Sequence, residues 1–146
     1  MPKVKIYPQE KYLFSTELAI RVSDLNYGAH LGYDRVLTLA HQARLEIFER
    51  FKVTEMDLGD GQTGLVVGDA ILNYLGEGFL HDVLKVEIAP LEIGTISFRL
   101  AHRFRNVSSL DDVALAEIGF VGFDYVKRRP ARLPEAFLEK LRGLGR

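Results

Sequence analysis

The stretch RVSDLNYGAHLGYDRVLTLAHQARLEIF, residues 21–48, decides the fold, because its period changes partway along. At its start, Leu18, Ile20 and Val22 alternate with Glu17, Ala19, Arg21 and Ser23, which is the period of a half-buried strand. Asn26-Tyr27-Gly28 breaks that alternation with residues that favour a turn. From Tyr33 to Phe51 apolar residues recur three and four apart, at Val36, Ala40, Ala43, Ile47 and Phe51, with Leu37, Arg44 and Phe48 beside them. That is the single apolar stripe of an amphipathic helix. About 18 residues at 1.5 Å each give a helix of roughly 27 Å, and the small Ala40 and Ala43 let a sheet approach it closely. A strand, a polar turn and a long helix in succession set Asp24, Asn26, His30 and Asp34 at a helix N-terminus, where free backbone N–H groups can hold a developing negative charge.

On the N-terminal side, residues 1–16 read as an irregular or edge-pairing lead. On the C-terminal side a glycine-rich loop, Leu58 to Gly64, is followed by four strand-like runs: Leu65–Tyr74, Val83–Leu91, Thr95–Phe104 and Val113–Tyr125. Glu77-Gly78, Glu92-Ile93-Gly94 and the segment 106–112 punctuate them. None of these gaps holds a helical pattern long enough for a parallel crossover, so the strands should pair antiparallel. The tail Leu133–Leu144 predicts a short helix, with Pro134 suited to its start. One long helix against a curled antiparallel sheet is an α+β layout, and residues 1–146 read as one domain without repeats.

Composition narrows the function. Hydrophobic residues are 47% and charged residues 27%, the balance of an ordinary globular domain. A net charge of −1 argues against a nucleic-acid or membrane partner. The absence of cysteine excludes disulfides, thiolate nucleophiles and Cys-based metal sites. With no signal-like apolar run near the N-terminus and no stretch of about 18 apolar residues, a cytoplasmic protein is expected.

The polar turn holds the chemistry-bearing candidates. An imidazole titrates near neutral pH and can take a proton from water, which makes His30 a candidate base; the plainer role is to satisfy turn carbonyls. Asn26 could orient a water or a carbonyl, or simply form the turn. Asp34 in the first helical turn faces the positive end of the helix dipole, which suits helix stabilisation better than base catalysis. Asp24 suits turn stabilisation. Gly59-Asp60-Gly61-Gln62-Thr63-Gly64 fits G-x-G-x-x-G, but it follows a helix and opens a strand, the reverse of a dinucleotide fingerprint. His30, His41, His81 and His102 have no metal-ligand spacing, so no metal is expected.

Three blocks carry a family resemblance. The first is residues 21–46, with Asp24, His30 and Ala43-Arg44-Leu45-Glu46. The second is Tyr74-Leu75-Gly76-Glu77-Gly78-Phe79-Leu80-His81-Asp82-Val83-Leu84. The third is Phe123-Asp124-Tyr125-Val126-Lys127-Arg128-Arg129-Pro130 with Leu133-Pro134. In this order they resemble the hotdog-fold thioesterases of the 4-hydroxybenzoyl-CoA type. The resemblance implies a hotdog fold, one long helix wrapped by a curled antiparallel sheet, that forms a homodimer and then a homotetramer. It implies hydrolysis of an acyl-CoA, with coenzyme A arriving as part of the substrate and no separate cofactor. It also implies that the backbone N–H of Tyr33 polarises the thioester carbonyl, that Asn26 with His30 or Asp34 directs a water, and that Lys127, Arg128 and Arg129 meet the coenzyme A phosphates. The chain departs from the pattern where chemistry sits. Asn26 replaces the turn's second aspartate, Gly28 stands where plant-type acyl-carrier-protein thioesterases have asparagine, and Gly32-Tyr33 replaces Asn-Asn. A turn reading Asn-Tyr-Gly-x-His is the closer match. The departures keep a second expectation open, a non-hydrolytic acyl-CoA or acyl-carrier binding protein. A hotdog dehydratase is less favoured, since its His and acidic partner are not evident.

Overall fold

The computed structural model describes residues 2–143. Along the chain it forms β1 (Phe14–Ala19), a 3-10 turn (Val22–Asp24), α1 (Arg35–Arg50), β2 (Thr63–Tyr74), β3 (Val83–Leu91), β4 (Ser97–Asn106), β5 (Asp112–Asp124), β6 (Arg129–Pro130) and α2 (Glu135–Leu141). The sheet order is β1-β3-β4-β5-β2, with β6 paired to β5. Every strand pair is antiparallel, as the lack of crossover helices requires.

Boundaries differ from the sequence expectation by one or two residues at the ends of β2, β4, β5 and α1, and more consequentially at the first strand, the helix start and the tail. The first strand ends at Ala19, and Val22 lies exposed in the 3-10 turn. The Ile20 amide donates to Asp82 O (2.8 Å), while the Asp24 carboxylate accepts from Arg21 N (2.8 Å) and rolls the chain into a turn. The helix starts at Arg35, so Asp34 is its N-cap and lies before the first turn. Arg35 N donates to Gly32 O (3.0 Å), closing a separate turn over Tyr33 and Asp34 first. Sixteen residues give α1 a length of about 24 Å. The tail helix is shorter than expected, with Pro134 as its N-cap, and Leu144 lies outside the described residues. The two-residue β6 was not signalled, because Arg129 and Pro130 have no alternation to read.

The helix buries Val36, Leu39, Ala40, Ala43, Ile47 and Phe48 against the concave face of the sheet. Phe48, Phe98, Phe104, Phe120 and Phe137 are each less than 2% exposed, and burying one such side chain is worth about 1.5–3 kcal/mol. Phe98 stacks on Phe120 (5.2 Å), and Phe137 of α2 meets Phe48 edge-on (5.5 Å), closing one end of the core.

Among the buried polar residues, Arg44 and His102 lie beside this core. Arg44 lies on the apolar stripe with its guanidinium 4.7 Å from the Phe120 ring, and its Nε donates to Glu55 of the loop after α1. His102 lies on β4 beside Arg44 and is 1% exposed; among the described residues neither ring nitrogen has a well-formed hydrogen bond, although the Leu100 and Ala116 backbone lies close enough to oppose the loss of its proton. Burial, then the nearby charge of Arg44, pushes its pKa down to about 4.

The convex face carries ion pairs instead, Arg103 with Glu87 and Arg99 with Asp69 and Glu117. The N-terminal lead crosses this face: the Asn73 side chain accepts from Ile6 N (2.8 Å) and donates to Val4 O (2.9 Å).

Candidate functional site

The turn between the 3-10 segment and α1 is built by its own polar groups. Asn26 N donates to His30 O (2.9 Å), Ala29 N to Asn26 O (3.0 Å) and Gly32 N to Asp24 O (2.9 Å). Ala29 takes φ of 61° to complete the reversal, a conformation that costs a non-glycine residue strain. A second element braces the turn from outside: Leu31 N donates to Gly78 O (2.7 Å) in the corner between β2 and β3. A side chain at Gly78 would run into Ile20 Cδ1, so glycine lets the corner lie this close.

Two further glycines bring the candidate residues together. A Cβ at Gly28 would lie 3.0 Å from His30 Nε2 and 3.4 Å from Asn26 Oδ1. One at Gly32 would lie 2.8 Å from Asp34 Oδ1 and 3.5 Å from Asn26 Cβ. Asn26, His30 and Asp34 therefore converge around two backbone positions without side chains. Asn26 Oδ1 accepts from Gly28 N (2.9 Å), which engages the amide oxygen. His30 Nδ1 lies 3.3 Å from Leu31 O. A proton on Nδ1 satisfies that carbonyl and leaves the Nε2 lone pair free, the tautomer a base needs.

Tyr33 and Asp34 are both exposed, and among the described residues their amides donate to no acceptor. Asp34 makes no side-chain cap. The Tyr33 carbonyl accepts from the hydroxyl of Tyr74, at the end of β2 (2.9 Å). Burial, then the charges of Tyr33 and Asp34, push the Tyr74 phenol up, so it stays protonated at neutral pH and donates. Sequence offers no sign of this contact, because 41 residues separate the partners.

Lys127, Arg128 and Arg129 lie elsewhere. Their turn follows Asp124, which pairs with Thr63 at the start of β2, whereas Tyr74 ends that strand beside the polar turn. Within one chain about 36 Å of strand separates the two regions. Asp124 ties the basic turn down by accepting from Val126 N and Lys127 N (both 2.9 Å) and from Gln62 Nε2 (2.8 Å). The Arg128 guanidinium sits over the rings of Phe123 (5.5 Å) and Tyr125 (5.7 Å). Among the described residues, no group of three or more His, Cys, Asp or Glu side chains is arranged to hold a metal ion, and no helix is long and apolar enough to cross a membrane.

Comparison with known proteins adds the family. The model of the thioesterase-like superfamily matches residues 20–141. No curated protein matches the sequence. Among solved structures, the chain is similar to a 1,4-dihydroxy-2-naphthoyl-CoA thioesterase from Synechocystis, with 16% identity and a TM-score of 0.82 over 91% of this chain and 98% of that one. It is also similar to a gentisyl-coenzyme A thioesterase, with 15% identity and a TM-score of 0.74 over 84% of this chain and 98% of that one. At such identities the likeness carries the fold, which is the hotdog fold expected from the three sequence blocks.

Proposed function

The chain belongs to the thioesterase-like superfamily, and from that premise we propose that it hydrolyses an acyl-CoA thioester to the free acid and coenzyme A. The observation that carries this reading is the convergence of Asn26, His30 and Asp34 on Gly28 and Gly32, beside the unengaged amides of Tyr33 and Asp34. The thioester carbonyl accepts from the Tyr33 N–H. His30 Nε2 takes a proton from a water that the Asn26 NH2 group orients, and the oxygen adds to the carbonyl carbon. The oxyanion gathers at the helix-start amides. Collapse breaks the C–S bond, and the proton held on His30 passes to the departing thiolate.

One chain holds only part of this site. Strand β2 is a sheet edge of 12 residues with Val67 exposed near its middle, and an edge of that length invites pairing. Antiparallel pairing of two β2 edges about a two-fold axis brings the partner's Thr63 end alongside Tyr74. The partner's basic turn then approaches the polar turn, so that Lys127, Arg128 and Arg129 meet the coenzyme A phosphates from the second copy.

Asn26 favours a second reading, an acyl-CoA or acyl-carrier binding protein without turnover. It stands where better-known relatives have a carboxylate, and its oxygen is already engaged by Gly28 N. A thiol-release assay over aromatic, short and long acyl-CoA thioesters separates the two. Release of coenzyme A from at least one class supports hydrolysis; saturable binding with no release supports the second reading.

A further inference from the structure

We propose that Tyr74 is a positioning residue for the thioester site: its hydroxyl holds the Tyr33–Asp34 peptide so that the Asp34 N–H acts beside the Tyr33 N–H as a second donor to the substrate carbonyl. This rests on the thioesterase reading above. The Tyr74 hydroxyl donates to Tyr33 O at 2.9 Å. A trans peptide is planar, so fixing the C=O direction fixes the N–H of the next residue in the opposite direction. The Asp34 N–H therefore points away from Tyr74, and it meets no acceptor among the described residues. Donation into the carbonyl also polarises the peptide, which strengthens its N–H as a donor.

Both ends of the contact are anchored. Leu75 N (2.9 Å) and Gly76 N (3.1 Å) both donate to Val113 O, fixing the chain just beyond Tyr74 on β5. Arg35 N donates to Gly32 O, so Tyr33 and Asp34 lie in a closed turn. The ring of Tyr74 is half exposed, so a lost hydroxyl leaves the core untouched. The short-range geometry of an oxyanion donor sets its worth, and among the described residues the one side chain hydrogen-bonded to this peptide comes from another element.

The test compares native protein with Tyr74→Phe in two measurements. The first is turnover across the acyl-CoA panel. The second is the infrared C=O stretch of a bound 2-oxoalkyl-CoA, in which a methylene between sulfur and carbonyl removes the scissile thioester. Tyr74→Phe should lower kcat by about tenfold, less than the 10²–10³ of losing a donor outright, with KM within about twofold. The bound ketone stretch should be lowered in the native protein and should move back toward its solution value in the variant. Unchanged kcat and an unchanged stretch would overturn the proposal. Turnover by a native protein that does not polarise the ketone would overturn it while leaving hydrolysis standing. A Tyr74-dependent stretch in a protein that turns over no thioester would uphold the positioning role and sink hydrolysis. A ketone that does not bind at all counts against both.

Discussion

His102 is the residue whose environment makes the clearest quantitative demand. Burial, then the charge of Arg44, lowers its pKa from 6.5 to about 4, against a weaker opposing pull from the Ala116 and Leu100 backbone. The unfolded chain binds a proton in the window between those values, and the native protein refuses it. Stability is therefore full above pH 6.5 and drains as pH falls toward 4, by about 1.4 kcal/mol per unit and about 3 kcal/mol in all. His102→Leu, which removes the titrating imidazole, should flatten that slope in urea titrations at several pH values. An equal slope in the two proteins would mean that His102 binds its proton in the native state. Residue-scale features were unevenly legible. Arg44 was read only as a neighbour of the apolar stripe and part of the family motif, and its Glu55 partner lies in a loop with no pattern to read. His30 and Asn26 were marked by their turn, whereas their approach across Gly28 depends on backbone angles that no residue type announces.

At the scale of elements, the loop between α1 and β2 matters beyond connecting them. Leu65 N donates to Glu55 O (2.8 Å), and the Tyr125 hydroxyl donates to Leu65 O, so the loop carrying the Arg44 partner is clamped to the start of β2. A methyl at Gly64 would meet the Glu55 carbonyl and the Tyr125 ring well inside contact distance. Gly64→Ala should cost about 1–3 kcal/mol, the range for forcing extra volume into a packed site, measured by chemical denaturation. A loss below about 0.5 kcal/mol, the level of an ordinary surface substitution, would show that the loop yields freely and the clamp is unimportant. Element type and order were readable because the stripe of α1 and the strand runs span many residues each. Ends were read less well, since they are set by a few local hydrogen bonds such as Arg35 N to Gly32 O.

At the scale of the whole molecule, one chain separates the polar turn from the basic turn along β2, and the proposed pairing of two β2 edges would unite them. Sedimentation at micromolar concentration should show a dimer or larger assembly; a stable monomer would break this part of the account. Arg128→Ala with Arg129→Ala should weaken coenzyme A binding at low salt, and less so at high salt, where phosphate contacts are already screened. A dissociation constant unchanged at low salt would return both arginines to a purely structural role. The fold was legible from the three sequence blocks, but the distance between the turns was not, because it depends on which end of β2 each one meets. The most direct test of hydrolysis at the polar turn is steady-state thiol release from the preferred acyl-CoA by native protein and His30→Ala. The native protein should turn over, and kcat should fall by about 10²-fold or more in the variant, the scale of one general base; equal turnover by the two proteins would contradict hydrolysis driven by His30.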